Sequence, residues 1–295
     1  MRFLLRTAFV AAASLGAMTA AAKATTLEIT VTHNGETPLF ITPLYTAFHN
    51  GGFDAFDVGR PASAGLELLA ETGMFGGPGS IAAERSAATA FPNSQGIPVL
   101  GAAGPGPIFS PNIGPGTFGG DTGTATIIID DPTENRFFTF LAMILPSNDT
   151  FIGEDDPLAH EVFDAAGNFL GPIDINVSGL NIFDAGTEAN DPSAEGGAAF
   201  VLNADISAGG PGEGNVQQGL DLNAFAGVGL APPPDPTNQI GTLDGFIDFT
   251  SDPANFNLLT ISIREIAPVP LPASGLLLLA GLGGLTVLRR RCKRA

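Results

Sequence analysis

The sequence predicts an all-β fold, an antiparallel β-sandwich with one short helix and long Gly- and Pro-rich loops. Short segments rich in β-branched and aromatic residues recur along the chain, each bounded by Gly, Pro, Asn or Asp. The segment "LEITVTHNG", residues 27–35, alternates apolar and polar side chains with the period of two that is typical of a strand with one buried face. It ends in an Asn-Gly turn signal. Helical signals are few, so the pattern favours a sandwich.

The individual strands follow from these local patterns. Each predicted strand is short, which is usual for strands joined by turns. The segments are 27–33, 39–44, 124–129, 137–145, 151–153, 160–163, 173–177, 198–201 and 258–263.

One helix is predicted over residues 63–72, "SAGLELLAET". Ser63 stands at the N-cap position, apolar residues follow at helical spacing, and Gly73 provides a stop signal. Two segments, 75–120 and 208–241, are rich in Gly and Pro and are predicted to be long irregular excursions.

The first residues, 1–24, are predicted to be a signal peptide. Two arginines precede an apolar, alanine-rich run, and Ala22-Lys23-Ala24 has the small-x-small pattern that a signal peptidase accepts. The alternative is an N-terminal membrane anchor, but the run is short for a span of about 20 apolar residues. We therefore expect residues 25–266 to form one exported domain.

The C-terminus predicts a prolyl motif (267–273), a transmembrane segment (274–288) and a basic cytoplasmic tail (289–295). The motif Val-Pro-Leu-Pro-Ala before a short apolar run and an arginine-rich end resembles the VPLPA-type PEP-CTERM sorting signals. That resemblance implies a sorting transpeptidase as a partner, and a membrane anchor that is at least transient. A sortase signal, approximated by Leu-Pro-Ala-Ser-Gly, and a plain tail anchor stay open as alternatives.

The exported domain is strongly acidic. All thirty acidic residues lie in 25–266, against only four arginines, which gives a net charge of −26. Such a surface repels nucleic acid and anionic lipid and attracts cations, although adaptation to a saline habitat would give the same balance. The single cysteine, Cys292, lies in the basic tail, so the domain contains no intrachain disulfide.

Three blocks of sequence carry a family resemblance. They are "HNGGFDAFDVGRPASAGLELLAETG" (49–73), "MILPSNDTFIG" (143–153) and "DAGTEAND" (184–191). In this order they resemble the signature blocks of the spondin N-terminal domain, and the likeness spans most of residues 26–266. The resemblance implies a sandwich related in topology to calcium- and lipid-binding sandwiches, with one calcium ion at an end.

The same resemblance implies Asp149, Asp184 and Glu188 as the calcium ligands. Animal members of the family are secreted matrix and adhesion proteins. Glu188 stands where those proteins commonly have Asp, so the denticity of its carboxylate stays open.

Spacing alone gives limited support to a metal site. Residues four apart on an extended strand lie roughly 13 Å apart, too far to share one ion, so a turn at Gly186 is needed for Asp184 and Glu188 to meet. In the alternative, Asp184 caps the turn by accepting a backbone N–H, and Glu188 is solvated. Because the candidate donors are all oxygens, calcium is favoured over zinc.

The leading functional hypothesis is an exported, non-enzymatic, calcium-binding module held at the cell surface or in the matrix. Its partner would be an unidentified protein or polysaccharide, and no nucleic acid. The alternative is a secreted hydrolase acting on exopolysaccharide, with Asp149 or Glu188 as a catalytic acid. An inert surface-layer component is a third possibility.

Overall fold

The structure, a computed structural model, shows two main antiparallel sheets with one hydrophobic core between them, and a separate antiparallel pair of two-residue strands. It describes residues 24–33, 39–88, 95–99, 122–193, 196–197, 203, 209–218, 225, 227–230, 241–242 and 252–267. The elements in chain order are β1 (Thr25–His33), β2 (Phe40–Ile41), β3 (Leu44–His49), α1 (Ala64–Thr72), α2 (Ile81–Ala88), β4 (Gln95–Val99), β5 (Thr122–Ile129), β6 (Phe137–Leu145), β7 (Thr150–Ile152), β8 (Ile173–Ser178), β9 (Ile182–Asp184), β10 (Gln217–Gln218), β11 (Gly229–Leu230), β12 (Gly241–Thr242) and β13 (Asn257–Glu265).

The first sheet has the strand order β5-β1-β13-β8. Strand β1 alternates strictly between buried and half-buried side chains, because one face packs on the core and the other meets solvent. Its register places Ile29 opposite Ile263 on β13 and opposite Ala125 on β5. Apolar side chains therefore line up across the inner face of the sheet.

The second sheet has the order β10-β9-β7-β6-β3-β4, and β2 also pairs with β6. Strand β6 is buried along nearly its whole length. One face packs against the first sheet through residues such as Phe138 and Phe140. The other face packs against helix α1, where Leu141 meets a second apolar cluster that includes Leu66 and Leu69.

Helix α1 has well-defined ends. The Ser63 hydroxyl accepts a hydrogen bond from the Leu66 N–H at 3.1 Å, and Gly73 closes the helix in the left-handed region, with φ of 70°. Helix α2 supports the same N-terminus, since the Glu84 carboxylate accepts from the Ser63 hydroxyl at 2.6 Å and from the Gly65 N–H at 2.7 Å. The two helices form one unit on the outer face of the second sheet.

The sandwich predicted from the sequence is confirmed, and so is helix α1 with its Ser63 and Gly73 caps. Strands β1, β5, β6, β7, β8 and β13 occupy six of the predicted segments within about two residues. Strand β9 was not predicted, because its three residues were interpreted as part of an acidic turn.

Two strand predictions are wrong in detail. Residues 39–44 do not form one strand: β2 ends at Ile41 and β3 begins at Leu44. Pro43 has no N–H to donate, and Thr42 bonds to Met143 twice: its N–H donates to the Met143 carbonyl at 3.0 Å, and its hydroxyl accepts from the Met143 N–H at 2.9 Å. Residues 160–163 make only isolated bridges, because the N–H groups of Val162 and Phe163 both turn to the Arg136 carbonyl.

The segment 75–120, predicted to be irregular, contains helix α2 and strand β4. Helix α2 packs against helix α1, and these contacts stabilise it. The Gly-rich sequence shows no helical periodicity that would predict it. The predicted strand 198–201, the Asn34-Gly35 turn, the signal peptide up to residue 23 and the C-terminal segments 274–288 and 289–295 lie outside the described residues.

The contact between the helices predicts an unusual response to Gly65→Ala. Replacing a helical glycine by alanine normally stabilises by about 1 kcal/mol. Here the new Cβ would lie 2.6 Å from both the Ile81 backbone nitrogen and the Glu84 carboxylate. We expect destabilisation of about 1–3 kcal/mol instead, measured as a lower thermal midpoint by circular dichroism.

The matched control is Gly76→Ala, where nothing lies within 4 Å of the added Cβ. It should leave the midpoint unchanged. A Gly65→Ala protein as stable as the parent would show that helices α1 and α2 are not packed as described.

Candidate metal site

Asp149 and Asp184 lie side by side at one edge of the second sheet. Asp149 immediately precedes β7, Asp184 ends β9, and the register of these neighbouring strands pairs Thr150 with Asp184. Both acids are buried, with 0% and 1% of their surface exposed. Their carboxyl groups contact each other. The sandwich therefore brings together two of the three predicted ligands.

Asp149 organises the loop that follows β9. Its Oδ2 accepts hydrogen bonds from the backbone N–H groups of Thr187 and Glu188, both at 2.9 Å, and from the Thr187 hydroxyl at 3.3 Å. Its backbone carbonyl accepts from the Ala185 N–H at 3.1 Å. One buried side chain thus fixes the path of residues 185–188.

Asp184 caps the turn that it begins. Its Oδ1 accepts from the Gly186 N–H at 2.5 Å, which is the turn-capping role considered as the alternative to ligation. Its Oδ2 accepts from the Asn190 amide at 2.8 Å. Gly186 adopts a φ of 68°, and a Cβ there would lie 2.2 Å from the Asn215 carbonyl oxygen, so only glycine fits.

A Gly-rich segment covers this loop. Residues 209–218, here called the strap, run antiparallel to residues 184–189. Gly214 and Gly212 donate backbone hydrogen bonds to the carbonyls of Gly186 and Thr187 at 2.8 and 3.2 Å. The strap lies within the segment 208–241 that was predicted to be an irregular excursion. Its closeness to the acids explains why they are buried.

Glu188 is placed differently from the other two predicted ligands. Its carboxylate faces helix α1, where Glu71 and Glu67 add negative charge, and the Asn148 amide lies beside it. Burial, followed by the charge of Glu71, raises the pKa of Glu188 to about 7. In the described part of the chain no three His, Cys, Asp or Glu side chains meet in an arrangement that could hold a metal ion. A cation beside Asp149 and Asp184 would also need amide, hydroxyl or backbone oxygens.

The acidic pair has no basic partner in the described ranges. The ion pairs found there join Arg136 to Glu161, Arg264 to Asp174 and His160 to Glu154. Burial, followed by the charge of Asp184, raises the pKa of Asp149 to about 7. Burial also raises the pKa of Asp184, against the lowering effect of its bonds to Asn190 and Gly186. Two such groups are stable together only if a proton or a cation lies between them.

Four side-chain oxygens, on Asp149, on its two neighbours in the chain and on the residue that donates to Asp184, are buried without a hydrogen-bond partner. They belong to Asn148 (Oδ1), Asp149 (Oδ1), Thr150 (Oγ1) and Asn190 (Oδ1). Buried polar atoms are nearly always paired, so these unpaired oxygens mark positions where water or a cation completes the hydrogen bonding or coordination. Sequence reasoning missed the three residues other than Asp149, because neutral Asn and Thr are common in turns and carry no metal-binding signature.

Comparison with known proteins adds no family assignment. No protein-family model matches the chain, and no curated protein matches it. The resemblance to the spondin N-terminal domain stays a prediction that rests on the three sequence blocks.

The buried pair predicts a pH dependence of stability in chelator. A folded-state pKa near 7, above the usual value of about 3.9 for an aspartate, means that the folded protein holds this proton more tightly than the unfolded chain does. The resulting stability is full below about pH 4 and is lost as the pH rises through 7. We expect the thermal midpoint in chelator to fall between pH 5 and about pH 8.

Asp149→Asn should reduce this fall, since Asn imitates the protonated acid and can still accept from Thr187 and Glu188. The control is Asp174→Asn on the first sheet. Hydrogen bonds from Ser262 and Arg264 lower the pKa of Asp174, so the stability that its charge contributes is present above about pH 4 and is lost only at more acidic pH. Asp174→Asn should therefore leave the fall in midpoint between pH 5 and about pH 8 as steep as in the parent. A fall in midpoint that is as steep in Asp149→Asn as in the parent would contradict the assignment.

Proposed function

We propose that the chain is an exported calcium-binding module of the spondin type, which acts by adhesion or interaction and not by catalysis. Calcium would bind at Asp149 and Asp184, and Glu188, the third ligand that the resemblance implies, would have to turn away from helix α1 to join them. The three sequence blocks and the acidic surface support the proposal. The partner would be a protein or polysaccharide at the cell surface.

One observation carries the calcium assignment. Two contacting carboxyl groups are fully buried with no basic side chain paired to them in the described structure, and oxygens around them lack donors. Oxygen is the ligand type that calcium prefers, in shells of about six to eight. Sulfur is absent from the candidate donors, which argues against zinc. The residues present therefore fit a hard divalent cation.

Calcium at this position would have a structural role. Asp149 lies between β6 and β7, Asp184 ends β9, and the strap closes over the loop between them. An ion held by both carboxylates would join these segments, and its positive charge would offset the repulsion between Asp149 and Asp184. The ion would fix the shape of this end of the sandwich, and the interaction partner would bind at this end.

The test is thermal unfolding of the full-length chain in calcium and in chelator. A ligand that binds only the native state stabilises it by about 2.7 kcal/mol at a free concentration of one hundred times Kd. For a domain of this size that corresponds to a rise of roughly 5–10 °C. We expect this rise in the parent and its loss in Asp184→Ala.

Asp174→Ala is the matched control, because it removes an exposed aspartate from the opposite sheet. It should keep the calcium effect. An equal midpoint with calcium and with chelator in the parent would refute a structural calcium ion.

Export and anchoring are proposed from the two ends of the sequence. No helix in the described part of the chain is long and apolar enough to cross a membrane. The proposed span, 274–288, lies outside that part. The proposal is an exported protein at the cell surface, anchored at least transiently.

Mass spectrometry of the protein recovered from its native cells tests the anchor. Proteolytic sorting predicts a mature C-terminus near the prolyl motif 267–273, without the arginines of 289–295. Recovery of the intact arginine-rich end would exclude such sorting. A mature N-terminus at Thr25 is expected in the same measurement.

The geometry does not favour the hydrolase alternative. Glycoside hydrolysis needs two carboxyl groups that flank a sugar in a solvent-accessible cleft. Asp149 is buried beneath the loop, and the Glu188 carboxylate lies against Glu71 and Glu67 of helix α1. No specific observation supports a catalytic role for either residue.

A further inference from the structure

Asn190 lies beside the acidic pair but is not one of the three predicted ligands. Its amide nitrogen donates to Asp184 Oδ2 at 2.8 Å, which places the end of the side chain against the carboxylate. Its amide oxygen is buried and has no hydrogen-bond partner. A side chain that is half satisfied in this way destabilises the fold unless something else binds the free oxygen.

The free oxygen of Asn190 is chemically suited to a cation. Amide oxygens are regular calcium ligands, and they add coordination without adding charge. Asp149 Oδ1 is the other unpaired oxygen at the pair, and Asp149 is completely buried. No N–H of the described chain reaches either atom, and the only group against the Asp149 carboxyl that could share a proton with it is the carboxyl of Asp184. A cation between the two acids would give both unpaired oxygens a positive partner.

Resting on the calcium site proposed above, we propose that Asn190 is a direct ligand of the ion through Oδ1. Two observations support this ligand: the Asn190 amide nitrogen donates to Asp184, and the Asn190 amide oxygen is buried without a partner. It adds a residue that lies two positions beyond Glu188, in a loop that Asp149 and the strap already hold in place.

A neutral ligand at this position sets the strength of binding. Ligand charge is one of the main controls of calcium affinity, and extracellular modules bind in the range of about 10⁻⁴–10⁻³ M. With Asn190 in place of a further carboxylate, the site would bind calcium more weakly than a site with one more acidic ligand.

Terbium luminescence of the full-length chain tests this ligand directly. Terbium is an oxygen-binding stand-in for calcium, and its decay in H₂O and D₂O counts the waters that remain bound to it. Removing a protein ligand admits solvent to the ion, so Asn190→Ala should gain about one water and bind roughly tenfold more weakly. Asn190→Asp keeps an oxygen ligand but loses the donor to Asp184, so it should keep the parent's water count.

Asn176→Ala is the control, since Asn176 lies on the exposed face of β8. It should match the parent in both readouts. An Asn190→Ala protein that binds weakly but keeps the parent's water count would make Asn190 only a donor to Asp184, and the inference would fail. A parent that binds neither terbium nor calcium would overturn the calcium site together with this ligand.

Discussion

The repulsion between two buried carboxyl groups is the constraint on which this end of the molecule depends. Asp149 and Asp184 contact each other with almost no exposure to solvent, and no described arginine pairs with them. Burying one unpaired charge is costly, and burying two together is more so. The surrounding backbone offsets part of that cost, because three N–H groups of the loop after β9 point at the two side chains. The rest requires a proton or a cation.

The fold supplies this arrangement through the order of its strands. Strand β7 lies between β6 and β9, so the loop before β7 and the loop after β9 emerge at the same edge. The strap then adds a layer of backbone over that edge, which requires glycines where side chains would collide. Gly212 is one such position, since a Cβ there would lie 2.6 Å from the Gly186 carbonyl oxygen. The glycines of the strap give no sequence pattern of a helix or a strand. The same glycines allow the strap to pack closely against the loop.

This combination explains which features the sequence could predict. Strands β1 and β6 and helix α1 show clear periodicity or caps, so local patterns suffice for them. The meeting of Asp149 and Asp184 was predicted through the resemblance, although nothing in their spacing requires it. The strap, helix α2 and the direction of the Glu188 side chain depend on contacts between distant segments. No local signal marks these contacts, and Asn190 is likewise one ordinary turn residue among many.

Turn capping and metal binding, the two alternatives for the acidic loop after β9, are compatible with each other. Asp184 does cap a turn, as an isolated acidic turn would require, and the same turn presents Thr187 and Glu188 to Asp149. Both oxygens of Asp184 accept from the loop, from Gly186 and Asn190, and the turn that they cap positions the N–H groups that Asp149 binds. Asp149 uses only one of its two oxygens for those N–H groups, so capping prepares the site and does not compete with it. For Asp149 the structure shows this division: Oδ2 holds the loop and Oδ1 is unpaired. A backbone arranged in this way before an ion arrives lowers the ordering cost of binding it.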